Sequence, residues 1–301
     1  MTLLVTGGSG QVGGAVAVLA KARGIAADAP DRSALDLGDV ASINAYPLEG
    51  ITAIINCAAY TAVDKAESEP ERAFAINATA AGILAACAAA HGIPLIHVST
   101  DYVFDGRKSG AYTEAYTEDD TPNPLSVYGA SKLAGEAAII ASGARYAIFR
   151  TSWVLSAGGA NFLNTMLRLG AERDALGVVS DQIGCPTAAD DLAAALLAVA
   201  DSFRDAQRPS ALYHFTNSGQ TTWHGLAAHI FLRASAAGWK TPALNAITTA
   251  DYPTPAPRPT NSVLSAAKFT RDFGYAPRPW QAAVDDILER RAFNLQHSRI
   301  L

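Results

Sequence analysis

The hydrophobic pattern alternates between short, nearly continuous apolar runs and longer Ala-rich or amphipathic stretches. Thr2-Leu3-Leu4-Val5-Thr6 reads as a buried strand, followed by a glycine turn and an Ala/Val-rich helix to about Arg23. Ala53-Ile54-Ile55-Asn56-Cys57-Ala58-Ala59 and Leu95-Ile96-His97-Val98-Ser99 are two further buried strands, and Tyr146 to Trp153 is another. Between them the pattern predicts a long helix from about Pro70 through Asn77 to His91, closed by Gly92 and Pro94, and a second beginning near Pro124. Strands that alternate with helices in this way predict an α/β protein. Beyond Trp153 the alternation gives way to loops and helices with more Pro and aromatics, while a helix near Asp190 to Phe203 could return to the first unit. The expected architecture is a Rossmann-type doubly wound parallel sheet over residues 1–152 and roughly 188–210. A smaller, discontinuous substrate-binding region would take 153–187 and 211–301.

The first strand ends in Gly7-Gly8-Ser9-Gly10-Gln11-Val12-Gly13. Gly7 and Gly10 would let the backbone turn and approach a pyrophosphate, Gly13 would let helix and strand pack closely, and the helix N-terminus would offer amides to phosphate. Near the end of the expected second strand stand Asp28, Asp31 and Arg32. A carboxylate there would bind the ribose hydroxyls of NAD, whereas a guanidinium would pair with the 2′-phosphate of NADP, so NADH and NADPH both stay open. Small residues closing the Ala53–Ala59 strand leave space for a cofactor along the same sheet edge.

Tyr128-Gly129-Ala130-Ser131-Lys132 places a phenol and an ammonium four residues apart, on one face of a helix. A cation beside a phenol favours the phenolate and brings a weak acid into a useful range. Thr100, at the carboxyl end of the Leu95 strand, would aim its hydroxyl at the same crevice, giving a candidate catalytic set of Tyr128, Lys132 and Thr100.

Composition narrows the partners. The 301 residues are 50% hydrophobic and 17% charged, with 23 basic against 28 acidic side chains and a formal charge of -5. There is no basic footprint for nucleic acid and no polybasic patch for a membrane, which leaves a small molecule as the expected partner. Cys57, Cys87 and Cys185 lack metal-ligand spacing and read as reduced thiols of a cytoplasmic protein; no leader or membrane span is expected.

The spacing Gly-x-x-Gly-x-x-Gly after a Thr resembles the extended branch of the short-chain dehydrogenase/reductases. Longer segments resemble the dTDP-4-dehydrorhamnose reductase family over essentially the whole chain: Asn56 to Glu67, Ser99-Thr100-Asp101-Tyr102-Val103-Phe104, Tyr128-Gly129-x-x-Lys132-Leu133-Ala134-Gly135-Glu136, Phe149-Arg150-Thr151-Ser152-Trp153-Val154, Asp181-Gln182-x-Gly184-x-Pro186-Thr187, Thr221-Thr222-Trp223-His224 and Arg258-Pro259-x-Asn261-Ser262. The resemblance implies NAD(P)H-dependent reduction of a keto group on a dTDP-linked deoxysugar. Tyr128 would be the proton donor, Lys132 would lower its pKa and hold the nicotinamide ribose, and Thr100 would hydrogen-bond the reacting oxygen. By the same comparison Gly10, Gln11, Val12, Asp36, Leu37, Ala59, Tyr60 and Thr61 are cofactor contacts, and Thr100, Asp101, Trp153 and Gln182 are substrate contacts. Trp153 could wall a deoxysugar, and Arg258 is a candidate diphosphate clamp because guanidinium matches phosphate geometry. Some members are dimers bridged by Mg²⁺ on carboxylates that include one on the first helix. Here that helix reads Gly13-Gly14-Ala15-Val16-Ala17, and Asp190-Asp191 alone does not replace the missing ligand, so Mg²⁺ stays open without support from the first helix, no metal ligand is assigned, and the chain is a monomer or a homodimer. A 4,6-dehydratase would place a Glu after the Asp, where this chain has Tyr102. An epimerase, or a regulatory subunit resembling that of methionine adenosyltransferase, remains as an alternative.

Overall fold

The computed structural model describes residues 1–108 and 114–297. Its centre is a six-stranded sheet in which every pairing is parallel. Five of its strands are β1 (Thr2–Thr6), β2 (Ala26–Asp28), β3 (Ala53–Asn56), β4 (Leu95–Thr100) and β5 (Tyr146–Thr151). In space β2 lies outside β1, then come β3, β4, β5 and, at the far edge, Ala211–His214. The expected boundary puts this last strand in the substrate-binding region, 211–301. It pairs with β5 from Ala211↔Ala147 to His214↔Arg150, so the sheet reclaims it beyond the expected limit at 210.

Side-chain alternation explains the two layers. Leu3, Val5, Ile55, Ile96, Ala147 and Phe149 face one core, which α1 (Gln11–Ala22) and the helix Ala189–Ser202 cover. Leu4, Ile54, Leu95 and Ile148 face the other, under the helices Ala80–Ala90 and Val127–Ala141. Each Leu, Ile, Val or Phe among them contributes about 1.5–3 kcal/mol on burial, so apolar packing holds both faces of these strands. A third core, with Leu163, Met166, Ile230, Phe231, Trp280 and Val284, lies in the C-terminal part.

Two helices differ from expectation. The stretch from Pro70 is α-helical over Pro70–Phe74, widens to a π turn at Ala75–Thr79, and resumes at Ala80–Ala90. The π turn brings Asn77 inward, where its side chain accepts from the Tyr60 amide at 2.8 Å and donates to the Tyr60 carbonyl at 3.1 Å and the Ser131 hydroxyl at 3.0 Å. The helix expected from Pro124 begins instead at Val127, because Ser126 caps it by accepting from the Gly129 amide at 3.1 Å. The run Pro70–Ala90 is long and apolar enough to cross a bilayer; here its buried residues Ala80, Ala81, Leu84, Ala85 and Ala88 pack on the sheet.

Candidate active site

The carboxyl ends of β1, β3 and β4 open onto one crevice, where chain direction diverges on either side of β1. At its floor the glycine loop is built without space for side chains. Gly7 has φ +70°, a Cβ on it would stand 2.8 Å from the Ala58 amide nitrogen, and a Cβ on Gly13 would stand 2.2 Å from the Gly7 carbonyl oxygen. Gly10 caps α1 in extended conformation with no side chain bonded to the helix amides, so the first turn of α1 is open to a phosphate. Gln11 faces away from that opening: its Oε1 accepts from Ser156 and Asn161, which fastens the segment after Trp153 over the glycine loop. A dinucleotide fits this cradle.

The adenosine end of the crevice is lined by Ser9, Arg32, Asp36, Leu37 and Ala59. Asp28 is expected there as a ribose ligand, but its carboxylate accepts the Tyr46 hydroxyl at 2.5 Å. Arg32 is exposed at the cleft and meets Asp36 at 3.3 Å. Asp31 is spent on its own turn, where Ser33 donates to it twice. Tyr60 is held by Asn77, and Thr61 beside it is exposed.

Tyr128 and Lys132 project from the Val127–Ala141 helix toward the ends of β3 and β4. That helix is fixed by a buried ion pair one turn beyond Lys132: Arg150 of β5 donates to Glu136 from Nε at 3.0 Å and from Nη2 at 2.6 Å, and Ser99 of β4 adds a third donor at 2.5 Å. Removing one member of a buried pair costs about 3–5 kcal/mol, so this clamp anchors the helix that carries Tyr128 and Lys132 to β4 and β5. The Tyr128 phenol faces the Thr100 hydroxyl and has the Tyr102 ring edge-on at 5.4 Å. Burial pushes its pKa up to about 12, against the downward pull of the Thr100 hydrogen bond.

Lys132 shares the helix face of Tyr128 but makes its own contacts on β4. The charged neighbour acting on the phenol is Asp101, whereas Lys132 Nζ donates to the Val98 carbonyl at 2.7 Å and meets His97 Nε2 at 3.1 Å. Burial brings Lys132 down to about 8, partly offset by Glu136 and Cys57. The shared helix face is as the spacing implies, but β4 supplies the nearer partners. Asp101 is fully buried and accepts from Thr100 at 3.0 Å, its second oxygen has no partner, and burial raises its pKa to about 6.

Trp153 is the sole non-glycine residue with positive φ among those described, at +47°. Its indole lies parallel to Trp223, with centroids 3.5 Å apart and planes 10° off. Gln182 does not project beside it. Its amide accepts from Trp223 Nε1 at 3.2 Å and donates to Thr249 at 3.0 Å, so it braces the second ring of the stack. Arg258 reaches the Tyr102 side of the site, where it forms a two-point pair with Asp64 at 2.7 and 2.8 Å.

The model of the family described as RmlD substrate binding domain matches residues 1–293. The dTDP-4-dehydrorhamnose reductase of Sinorhizobium fredii is 42% identical over 291 residues, which cover 93% of this chain and 94% of that one. The chain belongs to the dTDP-4-dehydrorhamnose reductase family. The Escherichia coli K12 member is 46% identical over 240 residues, 78% of each chain. Among solved structures, the reductase of Clostridium acetobutylicum superposes with a TM-score of 0.88 at 36% identity, over 96% of this chain and 99% of that one. The Bacillus anthracis reductase in complex with NADP gives 0.85 at 32% identity, with the same coverage. Two side chains of the site in this family member escape sequence reasoning, Asn77 and His97. Each was visible only as a lone polar residue in an apolar run.

Proposed function

We propose that this protein reduces the C4 keto group of dTDP-4-dehydro-L-rhamnose to dTDP-L-rhamnose with NAD(P)H. The observation that carries the reading is a buried Tyr128 facing Thr100, with Lys132 one turn on, at the edge where a side-chain-free glycine cradle opens. The glycine loop from Gly7 to Gly13, with the backbone amides of Gln11 and Val12, would hold the pyrophosphate, and Asp36, Leu37, Ala59, Tyr60 and Thr61 would border the adenosine and ribose. NADPH is favoured, because Arg32 lines the cleft whereas the Asp28 carboxylate is engaged by Tyr46.

When bound, the reduced nicotinamide supplies a hydride to the carbonyl carbon. Tyr128 gives its phenolic proton to the oxygen as negative charge develops there, so hydride and proton together complete the alcohol. A pKa of about 12 keeps the phenol loaded at neutral pH, and Thr100 supplies a second hydroxyl to the same oxygen. Lys132 lies where it can bond a ribose hydroxyl and, when charged, favour departure of the Tyr128 proton. Trp153 walls the deoxysugar, and Arg258 is poised for the diphosphate by exchanging Asp64 for it. The nucleotide sugar is the only partner this site requires. A cytoplasmic monomer or homodimer suits the three free thiols.

The test is oxidation of NADPH, and separately NADH, by the purified protein with dTDP-4-dehydro-L-rhamnose, with and without EDTA. Tyr128→Phe should lose about 10²–10⁴-fold in turnover with cofactor affinity retained. Cofactor binding without substrate-dependent oxidation by the wild type would instead favour the regulatory-subunit reading.

A further inference from the structure

A buried chain of hydrogen bonds runs from the backbone under the cofactor cleft to Lys132. The Ala58 amide donates to Asn56 Oδ1 at 3.2 Å and, less closely, to the Thr6 hydroxyl oxygen at 3.4 Å, while the Thr6 hydroxyl donates to Asn56 Oδ1 at 2.6 Å. Asn56 Nδ2 lies 3.0 Å from His97 Nδ1, His97 Nε2 lies 3.1 Å from Lys132 Nζ, and Nζ lies 2.7 Å from the Val98 carbonyl oxygen. Asn56, His97 and Lys132 are each 1% exposed, so water does not complete any of these contacts.

The donors along this chain can be counted from its fixed end. A peptide N–H can only donate, so the Asn56 atom it meets is the oxygen, and the atom facing His97 is the amide NH₂. Turning the amide over would set NH₂ against the Ala58 N–H. His97 Nδ1 therefore accepts. An uncharged imidazole carries one proton, which must then sit on Nε2 and point at Lys132. An imidazolium would aim an N–H at the Asn56 NH₂, and burial holds the His97 pKa well below its usual value. An ammonium has three donors and no lone pair. Only an uncharged amine can accept from Nε2–H while donating to Val98.

We propose that His97 is a positioning residue that, in the tautomer set by Asn56 and the Ala58 amide, holds Lys132 as an uncharged amine in the cofactor-free protein. The free site then stores its proton on the Tyr128 phenol and none on Lys132. The groups facing Lys132 agree with this. Cys57, the residue after β3, is a neutral thiol whose pKa burial raises to about 12, and Glu136 of the same helix is already paired with Arg150 and Ser99. Burial offset by these groups sets Lys132 near 8, which still leaves mostly ammonium at pH 7, and a donor aimed at the lone pair favours the amine further. Charging Lys132 takes one proton from solvent and requires the His97 contact to reverse. Reversal in place would turn the Asn56 amide away from Ala58, against which the Gly7 turn is packed. The charge on Lys132 is thereby coupled to the peptide that floors the cofactor cleft.

The inference rests on Tyr128 and Lys132 being the catalytic pair, but its test uses no turnover. In full-length ¹⁵N-labelled protein without cofactor, long-range ¹H–¹⁵N correlations at pH 7 should show His97 protonated on Nε2 and bare on Nδ1. Asn56→Asp replaces the NH₂ donor by an acceptor of the same shape, so His97 should move its proton to Nδ1 and the Lys132 titration, read at Cε, should rise by a unit or more. A wild-type ring protonated on Nδ1 or on both nitrogens would overturn the proposal, as would an Asn56→Asp protein with the wild-type tautomer. The wild-type spectrum decides the matter alone where the variant does not fold. Either result leaves the reductase assay untouched, so the two readings fail separately.

Discussion

Gly184→Ala should disable substrate binding without touching a catalytic group. Gly184 has no positive φ, so alanine fits its backbone and the whole effect is steric. A Cβ there would stand 2.5 Å from Trp153 Cε2, 2.7 Å from Cζ2 and 2.8 Å from Nε1. Non-bonded carbons rest at about 3.5–4.0 Å, so the methyl intrudes on the indole by about 1 Å. The ring is braced. Trp223 stacks on it at 3.5 Å and is itself held by Gln182, while the Trp153 carbonyl is fixed by the Thr187 amide at 3.1 Å. Overpacking of this kind costs about 1–3 kcal/mol. If that strain falls on the productive indole position, kcat/KM for the nucleotide sugar drops about 5- to 150-fold, through KM more than kcat. Steady-state kinetics at saturating cofactor measures the loss. Near-ultraviolet circular dichroism should show the signal of the stacked indoles weakened. A folded Gly184→Ala protein with wild-type KM and an unchanged near-ultraviolet spectrum would refute the argument that this glycine exists to admit Trp153.

Two further perturbations address the buried carboxylate and the clamp. Asp101 has its pKa raised from 3.8 to about 6, so its contribution to stability is present in full below the unfolded value and is lost as pH rises through 6. Asp101→Asn removes that loss, and urea unfolding should find the variant better off relative to wild type at pH 8 than at pH 4, by about 3 kcal/mol for two pKa units; an equal difference at both pH values contradicts the assignment. Arg258→Lys keeps the charge but not the two-point fork, so KM for the nucleotide sugar should rise about tenfold while KM for NADPH stays put; equal rises in both would remove Arg258 from the diphosphate.

Much of the fold was legible because one physical rule governs it. Side chains of the sheet strands had to be apolar on both faces, and the runs at Thr2–Thr6, Ala53–Asn56 and Leu95–Thr100 carry no other reading. Ala211–His214 escaped because its four residues, Ala-Leu-Tyr-His, resemble any loop; its place at the sheet edge comes from pairing with β5, and its burial from Phe149 and Phe269 around Tyr213. The π turn was hidden for a related reason. A π turn keeps helical composition, and only the inward bond of Asn77 to Tyr60 reveals the extra residue.

The catalytic pair shows where spacing stops being informative. Four residues on a helix guarantee a shared face, and Tyr128 and Lys132 share one. What each side chain does there is decided by the strand it meets. Tyr128 meets the hydroxyl of Thr100 at the end of β4, and Lys132 meets His97 and the Val98 carbonyl, three and two residues earlier on that same strand. A strand rises about 3.3 Å per residue, so those few residues displace the two partners along β4 by roughly 7–10 Å. The long Lys132 chain is drawn down that slope to the Val98 carbonyl and the His97 ring, and the protonation of the pair follows from an asparagine and a backbone amide that no helix motif contains. The residues that set the acidity of Tyr128 are therefore read from the strands, and the helix motif only says which side chains are available to be set.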